Sequence, residues 1–177
     1  MTNVSVVIVN YNSGRFLELC VNSVCRSDCL LEIIVVDNAS TDGSADFLDN
    51  LTASDVSLQV IRNEENRGFS AAINQGVGSS KSENILLLNP DCLVFPHTIR
   101  LLSEALDADS SAGIVGGLVF NFDGSEQRGC RRREPTLARS LDKTFRRRTF
   151  TTELNQVDMT DEPLPEKRIC VDAVSGS

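Results

Sequence analysis

The stretch Leu86-Leu87-Leu88-Asn89-Pro90-Asp91 narrows the choice of fold more than any other part of this chain. Three leucines with no charge among them predict a buried strand, parallel and covered on both faces. The proline cannot extend a ladder, so the strand ends there, and the next residue is a carboxylate. In an open α/β sheet, ligands gather outside the carboxyl ends of the strands. Asp91 is therefore delivered to the mouth of a crevice, where a divalent cation could use it. Taken alone, such an Asp is as readily a turn residue. Two further strands shift that balance.

Val4–Val9 is rich in β-formers and closes on Asn10-Tyr11-Asn12-Ser13-Gly14, and Leu31–Val36 closes on Asp37-Asn38-Ala39-Ser40. Strands of one parallel sheet point the same way, so these polar ends and Asn89-Pro90-Asp91 converge on one rim. Between them the period changes from two to about 3.6. Leu17, Cys20, Val21, Val24 and Cys25 form the apolar stripe of a helix over Arg15–Ser27. Thr41 or Asp42 caps a helix over Ser44–Leu51, and Val56–Ile61 is a third strand. A loop from Arg62 to Arg67 leads to a helix over Gly68–Gly76, with the last glycine as its stop. Asn84–Leu88 is the fourth strand. A helix begins at Phe95-Pro96-His97-Thr98, with Ile99, Leu102 and Leu106 inward. Ala112–Phe120 reads as a glycine-bearing strand, Asn121–Gly124 as a hairpin turn, and Ile169–Val174 as a final strand. The alternation predicts an α/β fold with a Rossmann-like, mostly parallel sheet flanked by helices.

Composition removes several function classes. No apolar run approaches membrane-spanning length, and Met1-Thr2-Asn3-Val4 lacks the features of a signal peptide. A cytoplasmic protein is expected. The six cysteines suit packing better than a disulfide framework or a zinc site, since no paired-ligand spacing or nearby histidine accompanies them. His97, the single histidine, is left unassigned. A net charge of −8 argues against nucleic acid as a partner. The charge is uneven: between Arg128 and Arg148, nine Lys or Arg stand against Glu134 and Asp142, leaving the rest near −15. Leu137, Leu141, Phe145 and Phe150 suggest one face of a basic helix there. Residues 128–148 then read equally as a surface for anionic lipid or a polyprenyl-diphosphate acceptor, or as a solvated segment without partner. Thr151–Lys167 is polar, holds Pro163 and Pro165, and reads as a mobile loop.

The rim supports a definite chemistry. The Asp37 carboxylate can accept the imide N–H of uracil or thymine, and Tyr11 offers the base an aromatic surface. Asp91 could hold Mg²⁺ or Mn²⁺, hard ions that take oxygen ligands and bridge phosphates. Such a metal stabilises the charge that builds on a departing diphosphate. Arg67 is a second phosphate contact. For Asn38, Ser40 and Asp42, capping is at least as strong a reading. Competing phosphate motifs are absent: Asn10–Gly14 has one glycine where a dinucleotide turn needs three, and no Gly-Lys-Ser/Thr loop occurs.

Four segments in order resemble family 2 glycosyltransferases: Val6–Asn12, Val36–Ser44, Asn66–Gly76 and Leu87–Asp91. They are similar to the bacterial branch that includes rhamnosyltransferases of polysaccharide synthesis. The resemblance covers residues 4 to about 120. It implies a GT-A fold, a nucleotide-diphospho-sugar donor (dTDP- or UDP-linked, dTDP-rhamnose among the candidates), a divalent metal, and inversion at the sugar carbon. It further implies a saccharide or polyprenyl-diphosphate-linked acceptor in cell-surface polysaccharide synthesis; peripheral contact at the inner face of the plasma membrane would follow from the basic segment 128–148. By position, Val9, Asn10, Tyr11 and Asn12 border the nucleotide-sugar and Asp37 binds the base. Asn66, Arg67 and Gly68 lie beside the nucleotide. Asn89-Pro90-Asp91 stands where the family carries Asp-x-Asp, with Asp91 on the metal. Asn89 removes one charge from that motif.

The resemblance divides the chain into a donor-binding core at 1–127, a basic segment and loop at 128–167, and the start of an acceptor-side portion at 168–177. An inverting displacement needs a carboxylate base on the acceptor hydroxyl. No motif for it is present: Asp123 and Asp172 lie outside the family's pattern, so the base is expected beyond residue 177. The expected protein is thus an enzyme with its acceptor half missing, read as a fragment in preference to a natural truncation. The alternative is a catalytically incomplete module that binds a nucleotide-sugar. A nucleotidyltransferase on a similar sheet would carry a glycine-rich basic loop after the first strand, which is not found.

Overall fold

A computed structural model describes residues 4–29, 31–51, 56–133, 159–160 and 162–174. The chain forms two units, Met1–Gly113 and Ile114–Ser177. In the first, β1 (Val4–Asn10), β2 (Leu31–Asp37), β3 (Val56–Arg62) and β4 (Asn84–Leu88) make one parallel sheet in the order β3-β2-β1-β4. Helices α1 (Phe16–Val24), α2 (Phe69–Ser79) and α3 (Thr98–Asp107) link or follow the strands. β1 and β2 are the centre and are buried at every position. Such strands have no solvent face, which is why they read as continuous apolar runs.

Alternation along the strands makes two cores. Val6, Ile8, Ile33 and Val35 meet Leu17, Cys20, Val21 and Val24 of α1 and Ile99 of α3. Val7, Val9, Ile34 and Val36 meet Ala72 of α2. Each fully buried Ile, Leu or Val contributes on the order of 1.5–3 kcal/mol. The second core depends on Gly76. A Cβ there would collide with Val7 Cγ1. Gly76 therefore does not end the helix, as its position suggested; α2 runs on to Ser79, and the glycine lets it press against β1.

That packing also corrects the reading of β4. The strand is parallel, but it is not covered on both faces. Leu86 and Leu88 turn into the α1 side, while Ile85 (37% exposed) and Leu87 (53% exposed) lie beyond the cover of α2. An all-apolar run does not reveal whether a strand is central or at an edge. Ser44–Leu51 is likewise a short 3-10 helix, Asp46–Asn50, and Ala45 caps it without a side-chain bond. Asp42 instead bonds back to Ser44 and across to Gly14.

Ala112–Phe120, which runs from the end of the first unit into the second, is not a ladder strand. Its only described pairing is an antiparallel bridge between Phe120 and Glu126, across the expected turn at Asn121–Gly124. Three glycines among these residues leave few side chains to hold a pleat. Of Ile169–Val174, only Ala173–Val174 forms a strand (β6), antiparallel to β5 (Arg131–Arg132). Arg131 is buried and forms a two-pronged pair with Glu126, both bonds 2.7 Å; it also donates to the carbonyls of Met159, Glu162 and Pro163. Arg133 pairs with Glu162 as well. The described part of the expected mobile loop is therefore tethered by buried charge. The basic helix expected around Leu137, Leu141, Phe145 and Phe150 lies outside the described residues.

Candidate functional site

Register assembles the rim. Asn10 pairs with Asp37, and Asp37 with Arg62, so β1, β2 and β3 end level with one another. Asp37 is 6% exposed. Its Oδ1 accepts a 2.9 Å hydrogen bond from Asn10 Nδ2, and its Oδ2 faces the Arg62 guanidinium at 3.9 Å. Arg62 spends its shorter bonds elsewhere, on Asp49 Oδ1 at 2.7 Å and the Ala45 carbonyl at 3.4 Å. Asp37 thus keeps a carboxylate oxygen with no short donor among the described residues. An acceptor with spare capacity at a strand's carboxyl end is suited to a ligand N–H.

Asn10 is fully buried and works inward. Its Nδ2 lies 2.9 Å from Asp37 Oδ1, Ser40 Oγ and Ser44 Oγ, and its Oδ1 accepts from the Ser13 hydroxyl. Asn12, at φ +51°, donates its N–H to Ser40 Oγ and accepts from the Thr41 N–H. Asp42 takes the Gly14 N–H at 2.8 Å and the Ser44 N–H at 3.0 Å. The Ser44 hydroxyl and amide hold its carboxyl below the usual carboxylate range. Ser40 and Asp42, weighed as caps, instead stitch the loop after β1 to the loop after β2. Between them Tyr11 stands half exposed. Val9 packs into the α2-side core.

The loop after β3 is fastened to Asn38. Asn38 Oδ1 accepts from Asn63 Nδ2 and from the Arg67 N–H, both at 3.0 Å, and Asn38 Nδ2 donates to Asn66 Oδ1 at 2.8 Å. Asn66 Oδ1 also takes the Gly68 N–H at 2.9 Å. Gly68 has φ +83°, which a side chain would resist, so the turn into α2 needs glycine there. The Asn66–Gly68 segment is therefore held beside the end of β2, with Arg67 exposed. Sequence reasoning passed over Arg62, Asn63 and Gln75. Arg62 could have been found, because it closes β3 as Asp37 closes β2. Asn63 and Gln75 carry no such signal.

Asn89-Pro90-Asp91 turns away from β4. The Asn89 carbonyl accepts from the Cys92 N–H at 3.1 Å and from the Cys20 thiol at 3.5 Å. Burial in α1, with Cys92 and Asp91 adding to it, pushes the Cys20 thiol up to about 12. It is a packing group under the turn, not a nucleophile. Asp91 is exposed. Among the described residues no cluster of three or more His, Cys, Asp or Glu could hold a metal. One exposed carboxylate does suit an ion that takes its remaining ligands from phosphate and water, as Mg²⁺ habitually does.

The family model described as "Glycosyl transferase family 2" matches residues 5–164. The chain belongs to that family. Glycosyltransferase GlyG of Streptococcus pneumoniae serotype 4 is 32% identical over 124 residues, which cover 70% of this chain and 41% of that relative. Two succinoglycan biosynthesis proteins of Rhizobium meliloti are also similar. The fold matches S. aureus TarS 1-349 in complex with UDP-GlcNAc (TM-score 0.55, 21% identity, 67% of this chain and 38% of that one). It also matches the mannosyltransferase PcManGT of Pyrobaculum calidifontis in complex with GDP-Man and Mn²⁺ (TM-score 0.58, 25% identity, 67% of this chain and 35% of that one). The sheet and its flanking helices are thus GT-A-like. The chain spans about two fifths of the length of curated relatives it matches. Among the described residues no helix is long and apolar enough to cross a membrane.

Proposed function

We propose that the rim binds a nucleotide-diphospho-sugar, and that the whole enzyme passes the sugar, with inversion, to a saccharide or lipid-linked acceptor in polysaccharide synthesis. The observation that carries this reading is Asp37, a buried carboxylate at a strand end with one oxygen committed to Asn10 and the other facing only a guanidinium at 3.9 Å. Asp37 accepts the imide N–H of a UDP or dTDP base, Tyr11 borders the base, and Asn66–Gly68 lies along the nucleotide. Arg67 meets a phosphate. Asp91 would hold Mg²⁺ or Mn²⁺ jointly with the diphosphate, and the ion would offset charge on that leaving group. In the transfer, the acceptor oxygen forms a bond to the anomeric carbon as the carbon–diphosphate oxygen bond breaks. The hydroxyl proton passes to a carboxylate base. A dTDP-rhamnose donor, which rests on the sequence resemblance, and a peripheral membrane position through residues 128–148, which rests on the basic charge there, are the finer expectations.

Calorimetric titration with UDP, dTDP and GDP, with and without Mn²⁺, tests the donor site. Binding of a uracil or thymine nucleotide is expected to tighten by about tenfold with Mn²⁺, and the Asp91→Ala variant to lose that gain while keeping metal-free binding. A preference for GDP overturns the assignment of the base. Metal enhancement that survives in Asp91→Ala overturns the assignment of the metal ligand.

A further inference from the structure

Gln75 lies in α2 and belongs to none of the strand ends that make the rim. Yet it begins an amide chain that reaches them. Gln75 Oε1 accepts from Asn63 Nδ2 at 2.9 Å, and Gln75 Nε2 donates to Asn63 Oδ1 at 3.0 Å. This reciprocal pair couples the two amides, so that neither can flip without the other. The Asn63 Nδ2 group then also donates to Asn38 Oδ1, which shares itself with the Arg67 N–H. Asn38 Nδ2 continues to Asn66 Oδ1, which takes the Gly68 N–H. The Asn63 N–H meanwhile bonds the Asp37 carbonyl at 2.8 Å. Four neutral side chains thus tie the core side of α2 to the backbone of residues 66–68 and to the end of β2.

The direction of every bond follows from the backbone end. The Arg67 and Gly68 N–H groups can only donate, so they fix the oxygens of Asn38 and Asn66; Asn38 Oδ1 then takes the Asn63 amino group, and Gln75 locks the Asn63 amide in that orientation. The loop they hold contains Gly68 and carries no secondary structure from residue 63 to 68. Fixing such backbone costs conformational entropy, a cost met at binding unless it is met at folding. A hydrogen-bonded amide chain between helix and loop is a device for meeting it at folding.

We infer that Gln75 and Asn63 are positioning residues that pre-order the 66–68 loop for the nucleotide. The inference rests on the donor-site reading above. Two variants separate its parts. Gln75→Met keeps length and packing but loses both bonds to Asn63. Gln75→Glu keeps the acceptor and loses the donor. UDP or dTDP is titrated with Mn²⁺, and amide hydrogen exchange is followed at Arg67 and Gly68 without nucleotide. Gln75→Met is expected to weaken nucleotide binding about tenfold and to speed exchange at both amides, with β1 and β2 unchanged. Gln75→Glu should fall between the wild type and Gln75→Met in both readouts. Unchanged exchange at Arg67 and Gly68 in Gln75→Met overturns the amide chain whatever the nucleotide does. Exchange that rises equally through β1 and β2 overturns the positioning role in favour of general stability. Faster exchange with unchanged affinity overturns the link to the nucleotide. A wild-type chain that binds no nucleotide, with exchange at Arg67 and Gly68 still dependent on Gln75, overturns the donor-site reading and with it the positioning role.

Discussion

β2 carries a carboxylate near each end, and the two are treated in opposite ways. Glu32 and Asp37 are equally buried, each 6% exposed. At the amino end, Glu32 Oε2 takes the Ser5 hydroxyl at 2.6 Å and the Lys81 N–H at 3.0 Å, and Oε1 meets the Lys81 ammonium at 3.6 Å. Burial raises its pKa, but the Ser5 and Lys81 hydrogen bonds outweigh it, and the carboxyl ends below its ordinary value. At the carboxyl end, Asp37 has one short hydrogen bond and a guanidinium at a distance. Saturated acceptors hold structure together; an acceptor left with spare capacity can serve a ligand. The same strand thus provides a lock at one end and a candidate reading head at the other.

Three substitution tests would break or sharpen this contrast. The largest effect is expected from Asp37→Ala: nucleotide affinity should fall about a hundredfold, near 2.7 kcal/mol. The fold should lose only about 1 kcal/mol, because Asn10 keeps Ser40 and Ser44 as partners. Chemical unfolding beside the titration would show both. Glu32→Ala should do the reverse, costing about 2–3 kcal/mol of stability by stranding the Ser5 hydroxyl and the Lys81 N–H, with nucleotide affinity unchanged. A Glu32→Ala variant that weakened binding with its stability intact would erase the contrast.

The smallest effect concerns pH. Because the folded pKa of Glu32 is lowered, its contribution is fully present above the unfolded value of about 4.3 and is lost as pH falls through the folded value. Glu32→Gln should therefore flatten the acid limb of the stability curve below about pH 4.3. Denaturant midpoints measured from pH 3 to 7 in both proteins would decide it.

Much of the first unit was legible because β1 and β2 are buried on both faces. A doubly buried strand must be apolar throughout and must stop where polar groups begin, so Asp37 and Asn10 announced their own place. β4 shows where that logic stops. Its apolar run looks the same as theirs, but Leu87 is half exposed, because neighbours along the sheet are not encoded in a strand's own residues. Ala112–Phe120 shows a second limit: apolar residues between glycines supplied a strand-like pattern without a partner to complete it. Gly76 shows a third, since a glycine that ends a helix and one that lets it approach a strand are the same letter.

The sequence alone determined the order of strands and helices, the polar rim and the family, because periodicity, turn residues and motif spacing are local properties of the chain. Only the tertiary structure decided which rim groups are spent on partners within the protein and which keep spare hydrogen-bonding capacity. Hydrogen bonds between residues as far apart as Asn10 and Ser44, or Asn38 and Asn66, depend on register and loop geometry. Those are set by the packing of the whole sheet, and no single stretch of residues carries them.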